Sequence, residues 1–360
     1  MMPRTIIGTM SGSSLDGLDV AICRFDELDG EISWSLEHGE TISFPDALKK
    51  SLSTAHTISG YELMKLDALF GKFIGDEIHK WVVENDLQAD GIASHGHTVF
   101  HEPSKGFTTQ IGSGAHIAFA TGIDTITNFR AADVAAGGQG APFAPIADKA
   151  LFPGYHAYLN LGGIVNVSLR TPDNHWKGWD IGPCNQALNH LAAHLNHPYD
   201  YGGQIASQGK VLRHITDALV AMFPYADGQP KGLSNAEVKK SWIAFLDTKQ
   251  ESIIDLLAST TEAIAILIIN HLQLISGQAS KILVTGGGAH NLHLMKRLEA
   301  LGGSKKFQFL PPEAMIIDYK ECLLMGYLGL LTTQGKSFGI HSMTGATADS
   351  IGGVLHKASR

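Results

Sequence analysis

RTIIGTMSGSSLDGLDVAICRF (4–25) reads as a strand, a turn of glycine and serine, and a second strand. Ile6 and Ile7 precede the turn and Val20 and Ile22 follow it, as β-branched residues do in strands. The connection GTMSGSSLDG (8–17) is the informative part. A hairpin closes with two residues, whereas this one carries Thr9, Ser11, Ser13 and Ser14, three glycines and Asp16. Clustered N–H and hydroxyl donors suit phosphate oxygens, and small residues let the backbone approach them. Asp16 and Asp19 offer hard oxygen ligands for Mg²⁺. The plain alternative is a polar hairpin loop, and the density of hydroxyls favours a functional one.

HAYLNLGGIVNVSLR (156–170) has the same layout: apolar strand, glycine turn at Gly162 and Gly163, β-branched strand. The match suggests one such unit opening each half of the chain, although any two hairpins resemble each other this closely. Between them, Leu63, Leu66, Phe70, Phe73, Ile74, Ile78, Trp81 and Val82 recur at steps of three and four and predict an amphipathic helix. DGIASHGHTVF and DTITNF read as short strands, and GWDIGPCNQALNHLAAHL as strand, tight turn and helix. Residues 250–276 form a long helix, KILVTGGGAHNLHLMKRLEAL a strand, glycine turn and helix, and DYKECLLMGYLGLLTT a late helix. Alternation of this kind predicts an α/β fold. At 360 residues, two domains are expected, with the boundary in the Gly- and Pro-dense GGQGAPFAP (137–145). That gives one lobe over 1–137 with roughly 338–360 and another over 138–337.

A net charge of −8 without a basic block argues against nucleic-acid binding. Cys23, Cys184 and Cys322 lie far apart with no CxxC, so neither a zinc ribbon nor a disulfide framework is indicated, and reduced thiols in a cytoplasmic protein are expected. The N-terminus lacks the apolar run of a signal peptide. AIAILIINHLQLIS (263–276) is interrupted by Asn270, His271 and Gln273 and reads as a buried helix, not a membrane span.

Four further motifs bear on chemistry. In GWDIGPCN (178–185), Asp180 is expected at a strand's carboxyl end, where α/β proteins bind ligands; a turn or capping role is its commoner fate. VTGGGAHN (284–291) lets a nucleotide lie against backbone, but Asn291 occupies the last glycine position of GxGxxG, so a dinucleotide site is disfavoured. SHGHTVFHEP (94–103) carries His95, His97 and His101; strand alternation puts His95 and His97 on one face, where they suit zinc or sugar hydroxyls, and bonding to backbone is the plain alternative, above all for His101. Arg130, in FRAADVAAGGQGAP (129–142), suits a carboxylate or phosphate, or a surface ion pair with Asp133. GKS (335–337) is no Walker loop, because Leu330 stands where the first glycine is required.

Two glycine hairpins, one Asp on a strand and a late glycine turn follow the order of parts in actin/hexokinase ATPases. GTMSGSSLDGLDVA, SHGHTVFHEP, FRAADVAAGGQGAPFAP, LNLGGIVNVS, GWDIGPCN and TGGGAHN more specifically resemble the anhydro-N-acetylmuramic acid kinases, in family order and over nearly the whole chain. The resemblance implies two actin-like ATPase (ribonuclease H-like) domains with a nucleotide cleft between them. It implies a kinase that opens the 1,6-anhydro ring with water and moves the γ-phosphoryl of ATP to O6, in murein recycling. Gly12, Ser13, Ser14, Leu15, Asp16, Gly17, Leu18 and Asp19 would meet the ATP phosphates and Mg²⁺, with Asp16 a metal ligand. Gly286, Gly287, Gly288 and Asn291 would face the adenosine. Asp180 would be the catalytic base, with His97, Arg130 and Glu321 at the sugar. The family further implies a homodimer. His97 stands where many members have Gln, Cys184 replaces a small residue, and Ala236 in PKGLSNAEV (230–238) replaces a usual Glu. The alternatives are a kinase of another amino sugar, a non-catalytic ATP-binding regulator, and a zinc hydrolase built on His95 and His97.

Overall fold

A computed structural model describes residues 4–12, 15, 17–170, 176–223, 233, 235–273, 280–339 and 341–358. The chain divides into two compact units, Met1–Pro153 with Tyr319–Arg360, and Gly154–Asp318. The crossings fall at 153/154 and 318/319 instead of 137/138 and 337/338. The helix Ala144–Leu151 explains the later first crossing. It is tied into the first unit by Trp34, whose indole N–H donates to the Leu151 carbonyl at 2.6 Å.

The first unit contains β1 (Arg4–Ser11), β2 (Gly17–Leu28), β3 (Glu31–Ser43), β4 (Gly91–Glu102), β5 (Phe107–Ile111) and β6 (Thr125–Thr127). The second contains β7 (Ala157–Leu161), β8 (Ile164–Arg170), β9 (Trp176–Pro183), β10 (Ser280–Thr285) and β11 (Phe307–Leu310). The C-terminal β12 (Val354–His356) returns to the first sheet and pairs with β6. β1, β2 and β3 form an antiparallel meander, β4 lies parallel to β1, and β6 parallel to β4. β7, β8 and β9 form the same meander, β10 lies parallel to β7, and β11 parallel to β10. The duplication faintly visible in the two hairpins thus extends through five strands of each sheet. This is the strand order of a ribonuclease H-like half, present twice.

Helices cover both faces of the first sheet. The helix Gly60–Glu84 opens with Ser59 accepting from the Glu62 N–H, a capping-box spacing. Its predicted stripe of Leu66, Phe70, Ile74, Ile78 and Trp81 is buried with Ile7, Leu18, Val20 and Ile22 of the sheet. The helix Ala314–Thr333 comes so close to β1 that a Cβ on Gly8 would lie 1.8 Å from the Cys322 carbonyl oxygen. Only glycine allows that approach. In the second unit, sheet residues Leu159, Val167 and Val284 share a core with Leu188, Leu219, Leu257, Ile264 and Leu298 of its helices. Among the described residues, Ile253–Leu272 is the one helix long and apolar enough to cross a membrane, and it is mostly buried in that core.

Candidate functional site

In the first unit the β1–β2 connection runs from Gly12 to residue 16, of which Ser13, Ser14 and Asp16, the expected metal ligand, lie outside the described residues. Leu15 adopts the left-handed conformation (φ 58°) and buries its side chain in the core. Gly17 faces Ser43 across the ladder, where a Cβ would meet the Ile42 carbonyl oxygen at 2.6 Å. Leu18 is fully buried, so Gly17 and Leu18 can meet a ligand only through backbone. Asp19 stands opposite Met10 and Thr41, and the Thr41 hydroxyl donates to its Oδ1 at 2.6 Å.

The histidine strand follows from β4 pairing with β1. Register slips between Thr9–Ser94 and Ser11–His97, with Gly96 at φ 70°. That bulge breaks the alternation on which a shared face for His95 and His97 depended. His97 Nδ1 lies 3.3 Å from the Ser11 hydroxyl, and burial holds the ring's pKa below the ordinary histidine value. With Leu15, Leu52, His56, Thr98 and Val99, His97 lines a pocket of about 230 Å³. His95 is committed elsewhere. Arg130 Nε donates to its Nε2 at 2.9 Å. Arginine cannot accept, so Nε2 is the acceptor and Nδ1 carries the proton, donated to the Gly96 carbonyl at 3.1 Å. Burial, with the Arg130 charge beside it, pushes this ring down to about 3. Neither nitrogen retains a lone pair for zinc, which removes the His95–His97 hydrolase reading.

Arg130 is not paired with Asp133. Its Nη1 donates to the Gly140 carbonyl at 2.7 Å, and its guanidinium lies 5.0 Å over the Phe143 ring. Burial lowers its pKa to about 10, and Glu321 opposes the shift. Asp133 instead accepts from the Gly140 N–H and the Thr344 hydroxyl, both at 2.7 Å, and so pins the 138–140 loop. Glu321 sits near the start of the last helix turns. Its carboxyl is raised by burial and by Asp19, and opposed by Arg130.

In the second unit, four polar residues lie in register across the sheet: Thr285 on β10 beside Asn160 on β7, Asn166 on β8, and Asp180 on β9. Asp180 is inside its strand, not at its end, because β9 continues to Pro183 past a bulge between the Asn166–Asp180 and Val165–Gly182 pairs. The Leu233 N–H donates to Asp180 Oδ2 at 2.7 Å. Burial raises this carboxyl above the ordinary range, the Leu233 bond opposes the rise, and Glu237 adds to it. Asn160 and Asn166 were not singled out in the sequence. Their alternation with Leu159, Leu161, Val165 and Val167 was the available signal.

The three late glycines divide in role. At Gly286 (φ 79°) a Cβ would lie 2.2 Å from Asn160 Oδ1, and at Gly288 it would lie 2.6 Å from the Leu161 Cβ. At Gly287 the nearest atom would be Asn185 Nδ2 at 3.8 Å. Gly286 and Gly288 are therefore needed for packing, and Gly287 presents an open backbone face. Asn291 caps the helix Leu292–Gly302, its Oδ1 accepting from the Leu294 N–H at 3.0 Å. Cys184 is fully buried and its thiol is pushed up to about 12 by burial, which makes it a packing residue.

Comparison with known proteins agrees with this assembly of parts. The family model described as anhydro-N-acetylmuramic acid kinase matches residues 4–358. A protein of that name from Pseudomonas fluorescens is 33% identical over 367 residues, covering 97% of this chain and 98% of the relative. One from Synechocystis is 32% identical, with 97% and 98% covered, and one from Bordetella pertussis is 32% identical, with 99% and 96% covered. Solved structures are far more distant. An activator of 2-hydroxyisocaproyl-CoA dehydratase from Clostridium difficile shares 12% identity over 92% of this chain and 97% of that one, at a TM-score of 0.44. A ROK hexokinase from Thermus thermophilus shares 11% over 91% and 99%, at 0.39. Likeness that loose carries no weight beside the repeated strand order and the full-length sequence match. This chain belongs to the anhydro-N-acetylmuramic acid kinase family.

Proposed function

We propose that this protein is an ATP-dependent kinase that opens 1,6-anhydro-N-acetylmuramic acid with water and phosphorylates O6, giving N-acetylmuramic acid 6-phosphate and ADP in cell-wall recycling. The observation that carries the reading is Asp180: a half-buried carboxylate in a polar cross-strand row, oriented by one backbone N–H, in a chain matched by the family from end to end.

The chemistry is a coupled displacement. Asp180 takes a proton from water, and the water oxygen attacks the anomeric carbon. The bond from that carbon to O6 breaks, and the O6 electron pair attacks the γ-phosphorus. The bridging P–O bond to the β-phosphate then breaks and ADP leaves; the proton passes from Asp180 to solvent. Burial disfavours the charged carboxylate and makes it a stronger base than an exposed Asp, and the Leu233 N–H opposes that rise. A positioned base contributes on the order of 10²–10⁴-fold.

Phosphoryl transfer otherwise needs placement and charge neutralisation. We assign the phosphates to the connection from Gly12 to Asp19, with Gly17 and Leu18 acting through backbone, and the adenosine to the Gly286–Gly288 turn, chiefly Gly287, beside Asn291. His97, Arg130 and Glu321 would read the sugar. The carboxylate oxygens of Asp19 and, by the family likeness, Asp16 would suit a hard cation. Bound Mg²⁺ would neutralise phosphate charge. We further assign the protein to the cytoplasm as a homodimer, on the family likeness.

A coupled ADP-release assay over a panel of amino sugars tests the reading. ADP and a sugar 6-phosphate in equal amounts, with the anhydro sugar alone, is the expected result. Turnover of other amino sugars but not the anhydro sugar would redirect the substrate, and no turnover with any sugar would defeat the kinase.

A further inference from the structure

Away from Asp180, His190 and His194 lie four residues apart, at the end of the helix Asn185–Ala193 and on the residue that caps it. Residues at that spacing share a helix face. Their rings are 5.2 Å apart and nearly perpendicular. Asp247 follows the short helix Ala244–Leu246 and brings its Oδ1 to 2.6 Å from His190 Nε2. One ligand atom from each of the three lies within 4.8 Å of the others, and all three reach solvent. Both supports are firm: Leu188 and Leu191 are buried beneath the histidines, and Trp242 and Leu246 beneath the aspartate.

We propose that His190, His194 and Asp247 bind a divalent transition-metal ion of the zinc class. Two imidazoles and one carboxylate form a borderline donor set, which favours zinc, cobalt, nickel or copper over magnesium or calcium. Ligand bonds of about 2.0–2.2 Å require the three atoms to converge on one point. The ion would take the place of the proton in the His190–Asp247 hydrogen bond and draw His194 in from within 4.8 Å. Water completes the tetrahedron.

The position gives the site a consequence. The helix bearing both histidines starts directly after the strand that carries Asp180. The segment ending at Asp247 begins near Leu233, whose N–H orients Asp180, and Asn235, whose Oδ1 accepts from Gln186 of the histidine helix at 2.6 Å. An ion joining His190 and His194 to Asp247 ties the two ends of this arrangement together. It restrains the segment that holds the carboxylate without touching the carboxylate itself.

The test uses the full chain with any affinity tag removed, stripped with a chelator and titrated calorimetrically with Zn²⁺, with Co²⁺ absorption as a second probe. We expect one equivalent of Zn²⁺, a tetrahedral Co²⁺ spectrum, and affinity lowered on the order of 10-fold or more in His194→Ala and Asp247→Asn. Circular dichroism of the metal-free variants checks that they fold, and His194→Gln provides a helix-compatible replacement with the same expected loss. No saturable binding by the parent protein, an octahedral Co²⁺ spectrum, or binding unchanged in all three variants would overturn the site. The readout does not involve catalysis, so it stands or falls separately from the kinase assignment.

Discussion

In the first unit the turn between β1 and β2 spans residues 12–16, while in the second the turn between β7 and β8 is only Gly162 and Gly163. Both occupy the same place in the same strand order. The short turn spends its carbonyls locally: Gly163 accepts from the N–H groups of Cys184 and Gln186 at 2.9 and 3.2 Å, and Gly162 from that of Asn185 at 3.2 Å. It therefore caps the helix that follows Asp180. The long turn packs through Leu15 and Gly17, and its sequence adds Ser13, Ser14 and Asp16, which lie outside the described residues. A duplicated fold has thus kept its scaffold and divided its labour. One hairpin carries a loop rich in donors, and the other fixes the helix behind the proposed base, with the open glycine face supplied by the turn after β10.

The largest effect expected from this division is at Asp180. Asp180→Asn should lower kcat on the order of 10²–10⁴-fold while ATP affinity, measured by calorimetry, stays unchanged. Equal loss in both would make Asp180 a structural residue and would erase the distinction between the two hairpins. Next come the glycines of the second unit. Gly286→Ala places a Cβ against Asn160 in a left-handed backbone and should cost about 1–3 kcal/mol in denaturant unfolding. Gly287→Ala should stay within about 0.5 kcal/mol yet raise the KM for ATP several-fold. A stable Gly286→Ala protein, or an unstable Gly287→Ala one, would reverse the assignment of packing and open faces.

The pH dependence is subtler. Because the Asp180 carboxyl is raised in the folded protein, the base form is lost as pH falls through that raised value, so the acid limb of kcat should lie above the usual aspartate range. The same shift has a stability sign. A carboxyl raised on folding favours the folded state at low pH, and that contribution is lost as pH rises through the folded pKa. Asp180→Asn removes the penalty, so its Tm should sit slightly above the parent's at neutral pH and converge with it in acid. Thermal melts across pH check this, and a lower Tm at pH 7 would count against the buried carboxylate.

Much of this architecture was legible in residue patterns. The stripe from Leu63 to Val82 fixed a helix, and the two strand–glycine–strand units marked the openings of both sheets. The β3 strand and the close packing at Gly8 were not legible, since one depends on pairing across the sheet and the other on a helix more than three hundred residues away. Site chemistry divided similarly. Asp180 and the glycine turn stood out by type and spacing. The Arg130–His95 bond and the Asp133 clasp on Gly140 and Thr344 did not, because a bulge at Gly96 and a C-terminal return set them. Local periodicity says nothing about a bulge or a distant segment, so Arg130 and Asp133 looked like neighbours suited to a surface pair.

In the proposed reaction water opens the ring at the anomeric carbon while O6 takes the phosphoryl group. The direct measurement is turnover in ¹⁸O-labelled water, with the sugar phosphate analysed by mass spectrometry and fragmentation. One label on the anomeric oxygen and none in the phosphoryl group is the expected result. Label in the phosphoryl group or in released inorganic phosphate, or a sugar phosphate with no label, would contradict it.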